Sequence, residues 1–140
     1  MKLKGVRFED FLQYKKPCMF IIMPYCTFKC DKDSGSQVCQ NWDLATSNTF
    51  EIDEETLIRT YLDQRLTTSV VFGGLEPFDS FSDVISFVNL FRNKYKCQDD
   101  IVIFTGYNKE EINEYIYVAS DGSDVCRLSG ETGGAAYGYW

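Results

Sequence analysis

Three short, almost uninterrupted apolar runs decide what this chain can become: 19–23 (Met-Phe-Ile-Ile-Met), 69–72 (Ser-Val-Val-Phe) and 101–104 (Ile-Val-Ile-Phe). None alternates polar with apolar, so none has a wet face. Each reads as a strand buried on both sides, the pattern of a parallel sheet. The residues after each run agree with that. Behind the first come Pro24, a loop over 25–41 rich in Cys, Lys, Asp, Gly and Ser, and an amphipathic helix over about 54–66. Leu57, Ile58, Tyr61 and Leu62 form its apolar face and Asp53 its cap. After the second run, Gly73-Gly74-Leu75-Glu76-Pro77 turns the chain into a helix over about 81–95, with Val84, Ile85, Val88 and Phe91 facing inward. After the third, Thr105-Gly106-Tyr107 leads to Asn108, which caps a helix over about 109–117 with Glu111 in the capping-box position. Residues 6–14 read as a strand or short helix covering one end. The alternation predicts an α/β fold whose parallel strands are joined by right-handed crossovers.

A chain of 140 residues makes one domain and buries roughly two thirds of its unfolded surface. At 44% hydrophobic and 16% aromatic it lies far from disordered compositions. From residue 120 onward Ser, Gly, Ala and isolated aromatics take over, so we expect a domain over 1–119 and a loop or flexible tail over 120–140. The formal charge of -7 opposes binding to nucleic acid or anionic membranes and suits docking onto another protein. The apolar run at 19–23 is far too short to span a bilayer. The basic start, Met1 to Arg7, is interrupted by Phe8-Glu9-Asp10 with no small-residue cleavage site after it, so we expect cytoplasmic residence.

Six cysteines and no histidine, with no export signal expected, point to metal or redox chemistry rather than disulfides. Lack of histidine removes Ser–His and Cys–His nucleophile pairs and imidazole metal ligands. Cys26-x3-Cys30-x8-Cys39 comes directly after a buried strand, where α/β folds place their ligands. Three soft thiolates favour an iron–sulfur cluster and would leave one iron open to an outside ligand. Free thiols, or zinc with Cys18 as a fourth ligand, are the competing readings. Cys18 and Cys97 sit beside strands as core residues, and Cys126 has no assigned role. Two further motifs also stand at strand ends. Gly73-Gly74 exposes backbone to a close ligand, and Glu76 is placed to take a positively charged amine. Thr105-Gly106-Tyr107 ends the third strand. Successive parallel strands bring all three motifs to one edge of the sheet.

Together Cys26-Thr-Phe-Lys-Cys30, Cys39-Gln40-Asn41, Gly73-Gly74-Leu-Glu76-Pro77 and Ile103-Phe104-Thr105-Gly106-Tyr107 resemble the radical S-adenosylmethionine (SAM) activases. The likeness is greatest to activating proteins of anaerobic ribonucleoside-triphosphate reductase. It runs from about residue 5 to 116. It implies a partial parallel (βα) barrel of the radical SAM type, truncated at its C-terminus. It implies a 4Fe–4S cluster on Cys26, Cys30 and Cys39, with SAM on the open iron. Gly73, Gly74, Glu76, Asn41, Thr105 and Tyr107 are the implied SAM-site residues. The implied activity is reductive cleavage of SAM to a 5′-deoxyadenosyl radical that activates a glycyl radical enzyme, with a flavodoxin or ferredoxin-type electron donor. The chain departs from the family in two places. The usual spacing is C-x3-C-x2-C, whereas eight residues separate Cys30 from Cys39; a clostridial-type subgroup of small cluster-binding proteins is similar in this. We also expect the later barrel strands, which in that family help wall the SAM site, to be missing. Both departures keep open an alternative, a non-catalytic iron–sulfur or zinc protein that has lost the SAM site. A metal-free adaptor that docks to the reductase is a third reading.

Overall fold

A computed structural model describes residues 1–64, 66–112, 127–129 and 136–139. The three apolar runs become strands β3 (Cys18–Ile22), β5 (Ser69–Gly73) and β6 (Asp100–Thr105). They are parallel and in simple register, with Phe20 beside Val71 and Val71 beside Val102. Before them come β1 (Lys2–Leu3) and β2 (Gly5–Asp10). The stretch read as strand or helix is thus largely strand, and β2 pairs antiparallel with β3. A short β4 (Phe50–Glu51) pairs with β1 as a separate ribbon.

Of the segment expected to be loop or tail, two pieces are described, and both are strands: β7 (Arg127–Ser129) and β8 (Ala136–Tyr139). β8 runs antiparallel to β6, and β7 antiparallel to β8. The sheet order is therefore β2-β3-β5-β6-β8-β7, a parallel centre with antiparallel margins. Cys126 and the end of the helix expected to reach residue 117 lie outside the described residues. Among the described residues no helix is long and apolar enough to cross a membrane.

The helices are α1 (Lys29–Ser34), α2 (Trp42–Thr46), α3 (Glu54–Asp63), α4 (Phe81–Asn89) and α5 (Lys109–Ile112). Asp53 caps α3 by accepting from the Thr56 amide, and Asn108 with Glu111 forms the expected capping box at α5. A 3-10 turn (Pro77–Ser80) leads into α4, which passes into a π-helical turn (Leu90–Lys94). The helix expected over 81–95 is therefore built in two forms. Two inward positions also differ from the sequence reading. Leu62 is 42% exposed at the edge of the α3 stripe. Phe87 is fully buried where Ile85 is only half-buried, because the α4 stripe centres on Val84, Phe87, Val88 and Phe91.

Alternation along the strands sorts their side chains onto two faces. Met19, Ile21, Val70, Phe72, Ile101 and Ile103 face α3 and α4, where Leu57, Ile58, Tyr61 and Phe87 join them in the main core. Phe87 meets Phe72 edge-on at 5.3 Å and stacks on Phe91 at 5.6 Å. Each such side chain contributes roughly 1.5–3 kcal/mol by burial. The other face carries a smaller cluster of Cys18, Phe20, Val71 and Val102, with Tyr14, Ile22 and Phe104 packed against it. Among the described residues, none of a helix belongs to that cluster. Helices α3 and α4 cover the first face, and the candidate cavity lies over the second, lined there by Phe20, Ile22 and Phe104.

Candidate metal centre

Beyond β3 the ladder continues for one more bond, Met23 amide to Gly73 carbonyl at 2.9 Å, and the chain then leaves the sheet at the carboxyl end of the parallel strands. Phe28 takes a left-handed conformation (φ 54°) that starts α1, and Gly35 (φ 69°) ends it. Cys26 thus stands in the approach to α1 and Cys30 in its first turn. The Cys26 sulfur accepts from the Phe28 amide at 3.3 Å. Burial pushes the Cys26 thiol up, as do the Asp79, Glu76 and Cys39 charges, and the Phe28 amide works against them.

The long Cys30–Cys39 interval is closed by Asp31. One of its carboxylate oxygens accepts from the amides of Val38 and Cys39, at 2.8 and 2.7 Å. The other accepts from the Trp42 indole at 2.9 Å. Desolvation opposes the charge, but the Cys39 and Val38 amides and the indole hold the Asp31 carboxyl below its ordinary range. The Trp42 ring stacks on Phe28, with centroids 3.8 Å apart and planes within 5°. The extra residues therefore loop outward, and Cys39 returns beside the residue directly after Cys30. Its sulfur accepts from the Asn41 amide at 3.4 Å. Behind it, the Lys4 ammonium holds the end of α2 through the carbonyls of Ala45 and Ser47.

The turn after β5 supplies the second wall. Gly74 has φ +77°, and a Cβ there would stand 2.7 Å from Ile22 Cγ2. Glycine is required at this position by both conformation and space. A side chain on Gly73 would press on Phe20 at 3.1 Å. Glu76 is 8% exposed and its carboxylate has three donors: the Thr105 hydroxyl at 2.6 Å, the Gly106 amide at 2.8 Å and the Phe78 amide at 3.0 Å. Burial raises its pKa, against those three bonds. Asp79 accepts from the Thr27 amide at 2.6 Å and from the Tyr107 hydroxyl at 2.8 Å. Together Glu76 and Asp79 fasten the cysteine loop, the β5 turn and the end of β6 to one another.

Cys26, Cys30 and Cys39 line one cavity of about 570 Å³, together with Asn41, Gly74, Glu76, Thr105 and Gly106. Gly73 and Tyr107 are not among its lining residues. Gly73 ends β5 beneath the rings of Phe20 and Phe104, and Tyr107 acts through Asp79. Sequence reasoning missed Asp31, Asp79 and the reason for Gly106. A Cβ on Gly106 would lie 3.0 Å from the Cys30 sulfur, so the glycine makes room for that thiol. An aspartate directly after a cysteine whose next neighbour lies far ahead was the available signal, because Asp side chains cap returning amides.

A family model described as a 4Fe-4S single cluster domain matches residues 5–127. The chain belongs to that family. No curated protein and no solved structure matches it. The residues of this single-cluster domain fit such a group. The donors are thiols with no imidazole available, two of the three sulfurs accept backbone N–H bonds that steady a thiolate, and Gly106 leaves space at the third. Among the described residues no three His, Cys, Asp or Glu side chains converge as ligands of one ion.

Cys18 takes no part. It is fully buried at the start of β3, and that strand alone sets it about 13 Å from Ile22, before the chain even reaches Cys26. Burial, helped by the Asp10 charge, pushes its thiol up to about 11. Alkylation of the native, metal-free single-cluster domain near about pH 8 is expected to modify exposed Cys30 and spare Cys18 until the chain is unfolded. Peptide mass spectrometry reads this directly. Early labelling of Cys18 would contradict its place in the core.

Proposed function

We propose that Cys26, Cys30 and Cys39 hold the 4Fe–4S cluster, and that the protein uses it to cleave SAM and activate a glycyl radical enzyme of the anaerobic ribonucleotide reductase kind. The observation that carries this reading is the shared cavity. Three thiols open onto a space that continues past them over Phe20, Ile22 and Phe104, with a volume inside the range of small-molecule sites. Three thiolates would leave one iron of a 4Fe–4S group without a protein ligand and open to an outside one.

One electron added to SAM breaks the sulfonium S–C5′ bond, giving methionine and a 5′-deoxyadenosyl radical; the cluster, when bound, supplies that electron, drawn from a flavodoxin or ferredoxin-type donor. The radical takes a hydrogen atom from a glycine of the partner and leaves as 5′-deoxyadenosine. The chain's own residues position and shield. Gly74 admits the ligand near the backbone, Asn41 and Thr105 offer polar atoms, and Phe20, Ile22 and Phe104 form an apolar floor that excludes water. β3, β5 and β6 are the strands we assign to the partial barrel. The oxygen-labile group fits a cytoplasmic setting.

One observation favours the alternative of a cluster protein without SAM chemistry. The Glu76 carboxylate already accepts three bonds from its own chain, which leaves about one acceptor site for an ammonium group. Anaerobic reconstitution with iron and sulfide, then spectroscopy with and without SAM, decides between them. The activase reading expects a shifted cluster signal and 5′-deoxyadenosine as product. A full cluster that ignores millimolar SAM leaves only the binding protein.

A further inference from the structure

Two carboxylates stand close to the thiols. The Cys26 sulfur accepts from the Phe28 amide at 3.3 Å, and Asp79 accepts from the amide just before it, Thr27, at 2.6 Å. Neighbouring peptide units of one loop thus hold a sulfur and a carboxylate. On the other side, a Cβ on Gly106 would stand 3.0 Å from the Cys30 sulfur and 3.7 Å from Glu76 Oε2. That carboxylate therefore faces the Cys30 thiol across a bare Cα, within roughly 7 Å, a separation at which charges still interact strongly.

The hydrogen bonds around both carboxylates come from donors. Asp79 takes the Thr27 amide and the Tyr107 hydroxyl. The Thr105 hydroxyl accepts from the Tyr107 amide at 3.0 Å, so its own proton goes to Glu76, beside those of Gly106 and Phe78. A carboxylate set among donors is held in its ionised form. Among the described residues neither Asp79 nor Glu76 forms an ion pair. Lys29, in the same loop as the cysteines, is taken by Asp33 and Glu111. Arg7, further along the cavity wall, is taken by Asp10.

An electron added to a group held by these thiolates adds a negative charge beside two others. The repulsion disfavours the reduced form. The amides on the Cys26 and Cys39 sulfurs favour it, but they are dipoles and the carboxylates carry whole charges. We propose that Asp79 and Glu76 hold the cluster at a low reduction potential, so that the electron it takes from an outside donor can pass to an acceptor that is hard to reduce. The proposal deepens the cluster reading above and rests on it. A sulfonium such as SAM is one acceptor of that class. Neither residue needs to touch the reacting atoms, because each acts through its charge.

The test is an anaerobic redox titration of the reconstituted protein without SAM. The electron paramagnetic resonance signal of the reduced cluster is read against solution potential, and iron is counted in every sample. Asp79→Asn keeps an oxygen for the Thr27 amide and a polar group for Tyr107, and removes the charge. It is expected to keep its iron and to be reduced about tenfold more readily, a rise of about 59 mV for a one-electron couple. Glu76→Gln is expected to move the same way and supplies the reading if Asp79→Asn loses iron. Tyr107→Phe breaks the same fastening without removing charge, and its potential is expected to stay at the wild-type value or below. An unchanged potential in Asp79→Asn with full iron overturns the proposal. So does a rise in Tyr107→Phe as large as that in Asp79→Asn. Loss of iron from both charge variants overturns it in favour of a purely structural role. A wild-type protein that takes up no iron overturns the cluster reading beneath it. The expected shifts in a protein that ignores SAM uphold the proposal while the activase reading falls, so the failures are told apart.

Discussion

Cys39→Ala is expected to strip the protein of nearly all its iron, although Cys39 is the furthest of the three cysteines along the chain. If the three thiolates are the ligands, then with no histidine anywhere in the sequence no spare soft donor among the described residues stands ready to replace one that is lost. Cys97 is partly buried against the helix-side core and Cys18 fully buried at the wrong end of β3, so neither can move in. Iron and sulfide content after anaerobic reconstitution, with Cys97→Ala as a control that keeps its iron, measures the effect. Asp31 adds a graded check. Asp31→Ala removes the acceptor for the Val38 and Cys39 amides and the Trp42 indole, so the outward loop opens and the third thiol loses its place. Asp31→Asn keeps the oxygen that takes both amides and loses the indole bond. Iron retention is expected to fall from wild type through Asp31→Asn to Asp31→Ala. Full iron in Cys39→Ala would remove Cys39 from the ligand set.

How much of this was legible in the sequence depends on the range of the interaction that fixes each part. The parallel centre was legible because uniform apolar runs such as Val70–Val71–Phe72 have only one comfortable environment. The caps at Asp53 and Asn108 were legible because the deciding bonds span three residues. Residues 127–129 and 136–139 were not. The pairing of 136–139 with β6 is long-range, 127–129 joins the sheet only through 136–139, and a stretch of Gly, Ala and aromatics carries little periodicity of its own. The π-helical turn after α4 escaped for the opposite reason, since its pattern continues the helical stripe without a break. At the site, the cysteines stood out by their chemistry as candidate ligands. The geometry that makes an eight-residue interval workable did not, because it hangs on a single carboxylate, Asp31, whose role shows only once the loop is folded. Gly74 stands between these cases. The Gly-Gly pair suggested backbone exposed to a ligand, and the structure adds a tertiary cause, the contact a side chain would make with Ile22. A bulky substitution there perturbs β3 before it touches any ligand.

Glu76→Ala is expected to lower stability by about 2–4 kcal/mol, a large share of what a domain of this size has. The wild-type carboxylate accepts from a hydroxyl and two backbone amides in a nearly closed position. Each donor left without a partner costs roughly 1–3 kcal/mol. Water entering from the cavity side can reach some of them, which keeps the total below the sum. Glu76→Gln separates the contributions. Its carbonyl oxygen can still take the Phe78 amide and the Thr105 hydroxyl, which share one oxygen of the glutamate. Its amide nitrogen then faces the Gly106 N–H, donor against donor, so about 1–2 kcal/mol is lost at that point alone. Because Gly106 lies against the Cys30 sulfur, the damage in Glu76→Gln is local to the thiol cradle. In Glu76→Ala it reaches the whole junction of the β5 turn and β6. Urea unfolding of the metal-free, reduced protein measures both. Metal-free Glu76→Ala that unfolds at the wild-type midpoint would show that Thr105, Gly106 and Phe78 find other partners, and the carboxylate would then be free for a ligand's ammonium group.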